Sequence, residues 1–228
     1  MKPADPSGSA APAAGRGTRL WHPFADMAAV SSAGELVLAS GEGADVVDEA
    51  GRRYLDASAG LWYCNVGHGR RELADAAAAQ MSALAAYSAF GDLANRPALD
   101  LAARLADMAP MEDARIFLTS GGSDSVDTAV KLVRRYWAER GNPQREAIIT
   151  REHAYHGMHL AGTSLAGIAA NRAGHGTLDP AVEQVPWDDA DALIAVLDSR
   201  DDVAAFFCEP IIGAGGVYAP PPGYLEKV

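Results

Sequence analysis

Residues 117–137 read FLTSGGSDSVDTAVKLVRRYW, and the pattern changes abruptly within that stretch. Apolar residues run up to Thr119, the small residues Ser120, Gly121, Gly122 and Ser123 follow, and Val126, Ala129, Val130 and Val133 then recur at helical spacing. A strand-to-helix turn of this kind can hold a phosphate. Glycines let the backbone come close to a ligand, and the first turn of a helix offers unpaired N–H groups and the positive end of its dipole. No Lys-Ser or Lys-Thr pair follows the glycines, so this is not a Walker A loop, and it is not the dinucleotide G-x-G-x-x-G either. The same residues would also make a plain tight turn capped by Ser123 or Asp124.

Three further clusters carry groups that can do chemistry. HAYHGMH, residues 153–159, follows the apolar run EAIITR. Its three histidines cannot share one helical face, and Gly157 interrupts any helix, so a metal site is not expected there. A loop after a parallel strand faces the crevice where ligands sit, and Tyr155 would bring an aromatic face and His156 a polar edge to it. Glu209 directly follows VAAFFC, at the carboxyl end of another strand, where a carboxylate must face a crevice or bind the next loop. LWYCNVGHGR, residues 61–70, places Leu61, Trp62 and Tyr63 beside glycine turns, which suits an apolar pocket wall and suits a core edge nearly as well.

Composition limits what these clusters can serve. The 228 residues carry 30 acidic and 19 basic side chains, a formal charge of -11, which excludes the basic stripe that nucleic acid or an anionic membrane requires. No apolar run approaches a membrane span, and two distant cysteines give no disulfide framework, which suits the cytoplasm. Lys2, Lys131 and Lys227 are the only lysines.

The elements that must position the clusters follow from pattern. Residues 1–18, rich in Pro, Ala, Gly and Ser, read as a flexible tail. LVLAS, ADVVDE and RRYLDAS, divided by glycines, predict a small antiparallel meander within an N-terminal segment, 19–69, of α+β character. From residue 70 onward helices are expected at 71–87, 97–108, 124–140 and 188–199, with RIFLT, EAIITR and VAAFFC as short buried strands. Alternating strands and helices predict an α/β fold with a parallel sheet over 70–228.

In order along the chain, DEAGRRYLDASAGLWYCNVGHGR, FLTSGGSDSVDTAVKLVRRYW, AYHG and EPIIGAGGVYAPPPGYL resemble the class III aminotransferases, fold-type I enzymes that use pyridoxal 5'-phosphate. Among these the chain is most similar to the omega-amino acid and amine:pyruvate transaminases, from about Trp21 to Val228. The resemblance implies that Gly122 and Ser123 hold the cofactor phosphate, with Ser120 and Gly121 shaping the turn. It further implies that Tyr155, followed by His156, stacks on the cofactor ring, that Glu209 lies beneath it, and that Trp62, beside Leu61, lines the substrate pocket. The family's block reads S-G-S-E-A-N where this chain has Gly121, Gly122, Ser123, Asp124, Ser125 and Val126, so the Gly-Ser pair is kept and its neighbours differ.

The implied reaction moves an amino group from an amine or omega-amino acid donor to a 2-oxo acid such as pyruvate, in a homodimer or dimer of dimers. It needs a buried Schiff-base lysine and an aspartate at the ring nitrogen. In the family both lie beyond the E-P-x-x-G loop, so no catalytic residue is expected among the 228. Lys131 sits mid-helix and Lys227 is penultimate, neither where a Schiff base could form. The chain is accordingly expected to be the amino-terminal portion of such an enzyme, with an incomplete cofactor domain at 70–228, and inactive alone. Two alternatives are a non-catalytic phosphate-binding or interaction remnant of that fold, and an aminomutase or racemase of the family.

Overall fold

A computed structural model describes residues 18–228, and the chain divides into two compact units between Ala94 and Asn95. The reading of residues 1–18 as a tail therefore falls, up to residue 17, outside the described residues.

In the first unit, α1 (Met27–Ala33) starts where the Asp26 carboxylate accepts the N–H of Ala28 at 2.9 Å, and it stops at Gly34, whose φ is 82°. The expected meander is present: β1 (Leu38–Glu42), β2 (Asp45–Asp48) and β3 (Arg53–Leu55) pair antiparallel in that order. Its turn at residues 49–52 is organised by Asp48, which accepts the Arg52 N–H at 2.8 Å, Arg52 Nε at 2.7 Å and the Tyr54 hydroxyl at 2.9 Å. The segment α2 (Ala59–Trp62) is wound left-handed, with φ between 50° and 70° at all four residues. Only Gly60 adopts that region without steric cost. An Ala-rich helix, α3 (Arg71–Leu84), follows where periodicity placed one.

The second unit opens with α4 (Arg96–Met108), capped by Asn95 Oδ1 on the Ala98 N–H at 3.0 Å, and continues with the long α5 (Gly122–Glu139). Next come β4 (Ala147–Arg151), α6 (Leu160–Leu165), α7 (Ala169–Arg172), β5 (Val182–Val185), α8 (Ala190–Ser199), β6 (Val203–Phe206) and α9 (Tyr224–Lys227). The three strands form a parallel sheet in the order β5-β4-β6. Every residue of the central β4 is buried, and its period of two sends side chains to opposite faces. Ile148 packs with Val130 of α5 and Leu165 of α6, whereas Ile149 packs with Val185, Val203 and Leu193 of α8. Helices thus cover both faces of the sheet, as parallel strands require. The indole of Trp137 donates to the Ala204 carbonyl at 2.9 Å and ties the end of α5 to β6.

One strand differs from expectation. RIFLT, residues 115–119, is in no strand, and Phe117 and Leu118 are 68% and 45% exposed. A strand needs a ladder partner, and RIFLT pairs with no strand among the described residues, where the parallel sheet consists of β5, β4 and β6. The sheet instead uses VEQV as β5, where half the residues are polar. Their side chains are held locally: Gln184 Nε2 donates to the Ala166 carbonyl at 2.6 Å, and Glu183 pairs with Arg200 at 2.5 Å.

Candidate functional site

The α5 helix begins at Gly122, two residues earlier than its periodicity indicated, and Gly121 occupies the N-cap position. No side chain caps it. Ser123 and Asp124, either of which could have been the cap, lie inside the first turn, and the Asp124 carboxylate accepts the Ser120 N–H from behind at 3.2 Å. A methyl group added to Gly121 or Gly122 would meet nothing within 4 Å. An eighteen-residue helix thus presents bare N–H groups to open space, and this is the geometry that binds an anion.

The loop after β4 is fastened to that helix. Ser123 Oγ accepts the Met158 N–H at 2.9 Å, leaving its own proton free to donate. Gly157, at φ 103°, passes so close that a Cβ there would lie 2.8 Å from Ser123 Cα. The same loop is fastened at its other end to the segment after β6. Glu209 accepts the Tyr155 N–H through one oxygen at 2.9 Å and the Gly213 N–H through the other at 3.0 Å. Ser123, Tyr155 and Glu209 are therefore joined into one structure at the carboxyl end of β4, with residues 153–158 as the bridge. The carboxylate acts on the loop backbone, and it is the Tyr155 ring, partly exposed, that is left for a ligand.

His156 turns inward. It is 8% exposed, its Nε2 lies 3.1 Å from Thr150 Oγ1, and its ring meets Phe207 edge-on. Burial holds its pKa below the usual histidine value against the pull of the Glu209 carboxylate, and the Arg151 guanidinium adds to the depression, so the ring is kept neutral. His153 stacks on Tyr218 with ring centroids 4.8 Å apart, and Trp187 lies on Tyr218 at 5.0 Å. Among the described residues, no group of three or more metal-ligating side chains converges on a common point.

Sequence reasoning missed Arg151. It is 1% exposed, donates to the Glu209 carbonyl and to the Trp187 carbonyl, and lies over the Tyr224 ring at 5.3 Å. Nothing local in ITRE marks it, because its partners lie 36 or more residues further along the chain. Leu61 and Trp62 belong to the first unit, where both are exposed in the left-handed α2 turn. The described lysines lie on the surface: Lys131 is on the exposed side of α5, and Lys227 pairs with Asp191 at 3.0 Å. Lys2 is outside the described residues.

An uncapped helix N-terminus beside loops at the carboxyl ends of parallel strands is the place where open α/β folds bind ligands, and the second unit has that architecture. Comparison with known proteins narrows the class. The class-III aminotransferase family model matches residues 27–228, and the chain belongs to that family. It is 36% identical to the putrescine–pyruvate aminotransferase of Pseudomonas aeruginosa in an alignment 225 positions long that covers 90% of this chain and 49% of the relative. The solved (S)-enantioselective omega-transaminase of Thermomicrobium roseum superposes with a TM-score of 0.87 at 39% identity, covering 90% of this chain and 50% of that one. An amine transaminase from an uncultivated Pseudomonas species, solved in its PLP-bound internal aldimine form, gives 0.85 at 35% identity, covering 92% and 52%. The fold is thus that of the fold-type I transaminases, and the chain spans about half the length of the curated relatives it matches. No helix among the described residues is long and apolar enough to cross a membrane.

Proposed function

We propose that this chain provides the phosphate cradle and ring shelf of a pyridoxal 5'-phosphate-dependent transaminase. That enzyme would move an amino group from an amine or omega-amino acid to a 2-oxo acid such as pyruvate. The observation that carries the reading is the uncapped α5 N-terminus with its open Gly121 and Gly122. The N–H groups of Gly121, Gly122 and Ser123 would hold the phosphate, with the Ser123 hydroxyl as a further donor. Tyr155 would stack on the ring. Neutral, buried His156 packs the floor of its loop, and Glu209 sets the height of the Tyr155 backbone. Bound there, the cofactor supplies an electron sink for the amine carbon. Leu61 and Trp62 are proposed as the substrate wall, in a cytoplasmic homodimer or dimer of dimers.

Lys131 and Lys227, both on the surface, favour the reading that these 228 residues bind the cofactor without bonding to it. Equilibrium dialysis of the full chain against pyridoxal 5'-phosphate and against pyridoxal tests this. The phosphorylated form should bind at least about tenfold more tightly, as expected for charge-assisted hydrogen bonds. Equal binding would overturn the cradle. Borohydride reduction followed by mass spectrometry should show no selective adduct at Lys131 or Lys227, and a unique adduct at either would overturn the binding-only reading.

A further inference from the structure

The first unit holds a side-chain relay that the transaminase reading does not use. Cys64 Sγ lies 3.3 Å from His68 Nδ1, and His68 Nε2 lies 2.8 Å from Asp56 Oδ2. The three groups stand in line with the imidazole between the others, so both ring nitrogens are used and the set does not converge on a metal ion. Asp56 is held below the ordinary carboxylate value because His68 hydrogen-bonds to it, with the Ser58 hydroxyl and the Gly60 N–H adding to the effect. An ionised Asp56 fixes the proton on Nε2 and leaves Nδ1 as an acceptor facing the thiol, the order that activates a sulfur nucleophile.

The surroundings hold this line rigidly and leave room beside it. His68 exchanges backbone hydrogen bonds with Gly43, at 2.8 and 3.1 Å. Gly41 makes space for the ring, since a Cβ there would come within 2.8 Å of His68 Cγ. The left-handed α2 turn delivers Cys64, whose N–H closes on the Ala59 carbonyl at 2.8 Å. A cavity of about 320 Å³ adjoins the sulfur, lined by Ala44, Asp56, Asn65 and His68 among others.

We propose that Cys64, His68 and Asp56 form a thiol-exchange site that takes a low-molecular-weight disulfide into this cavity. Cys64 Sγ attacks one sulfur of the disulfide as its proton passes to His68 Nδ1. The S–S bond of the incoming molecule breaks, and its departing thiolate takes the proton back from His68. Cys64 is oxidised to a mixed disulfide, the small disulfide is reduced, and one free thiol leaves.

Cys208 is the internal control, because it is exposed whereas Cys64 is only partly so, and accessibility alone would make Cys208 the faster thiol. The full chain is treated at pH 7 with iodoacetamide and, separately, with glutathione disulfide, and labelling of each cysteine is followed by peptide mass spectrometry. Cys64 should react at least about tenfold faster than Cys208 with both reagents, and His68→Gln should bring its rate down to that of Cys208 or below. Equal or slower labelling of Cys64 overturns the proposal. Fast alkylation without a glutathione adduct at Cys64 overturns the exchange chemistry. If His68→Gln does not fold, the wild-type ratio and the rate in Asp56→Asn decide the matter.

Discussion

The Glu209 carboxylate receives the backbone N–H of Tyr155 at 2.9 Å, across 54 residues of sequence. With its second oxygen on Gly213, this side chain is the clasp between the loops after β4 and β6. Glu209→Gln keeps the size but turns one acceptor into a donor that faces an N–H group. The second unit should lose roughly 1 kcal/mol, the cost of a charged acceptor removed from a part-buried donor. Urea unfolding reads the stability, and dialysis against pyridoxal 5'-phosphate reads the accompanying loss of binding. A variant with unchanged stability and unchanged binding would remove Glu209 from this role.

Gly122 and Gly157 separate what the fold needs from what a ligand needs. Gly157→Ala forces a Cβ against the Ser123 backbone at 2.8 Å in a left-handed conformation, and should cost roughly 1–3 kcal/mol while displacing Ser123. Gly122→Ala adds a methyl group into open space at the start of a helix, where alanine is better than glycine by up to about 1 kcal/mol. The second variant should fold as well as the parent or better and still bind pyridoxal 5'-phosphate less tightly. Undiminished binding by Gly122→Ala would mean that close approach of a phosphate is not why glycine is there.

What the sequence could reveal followed the range of the interactions involved. The meander, α3, α4, α5, α8, β4 and β6 carry their own periodicity, and the structure places them within a few residues of expectation. RIFLT carries an equally good strand pattern but has no ladder partner among the described residues, and no local pattern can report a missing neighbour. At the site, the glycines and serines of residues 120–123 were legible because the helix that they open is local. The inward turn of His156 was not, since it depends on Thr150 and Phe207. The Cys64, His68 and Asp56 line was hidden for the same reason, because a spacing of twelve residues says nothing until β3 and the α2 turn fold it back.

His156 should make stability depend on pH. Burial depresses its folded pKa below the ordinary value of about 6.5, which the unfolded chain keeps. Above that value both states are neutral and the residue contributes nothing to the pH dependence. As pH falls below it, the unfolded state takes up a proton that the folded state refuses, and stability drops until the folded pKa is reached. Denaturation free energies measured from pH 7.5 to 5 should fall for the parent, and should fall less for His156→Gln. Parallel curves would place the titration elsewhere.

Asp48 predicts a second, more acidic transition in the first unit. Burial pushes its carboxyl up, but the Arg52 N–H, the Arg52 guanidinium and the Tyr54 hydroxyl outweigh that and bring it down to about 2. The unfolded chain keeps a value of about 3.9, so the stability that Asp48 contributes is full above that pH and is lost as pH falls toward 2. Asp48→Asn keeps the shape of the turn but puts an amide where the Arg52 guanidinium and N–H both donate. The meander should then loosen at neutral pH, read as faster amide hydrogen exchange at residues 45–55, and its protection relative to the intrinsic exchange rate should lack the acid dependence between pH 4 and pH 2 expected of the parent. If the Asp48→Asn variant keeps this acid dependence, a different carboxylate is responsible, with Asp45 the next to test, because its pairing with Arg53 lowers its pKa on the same strand.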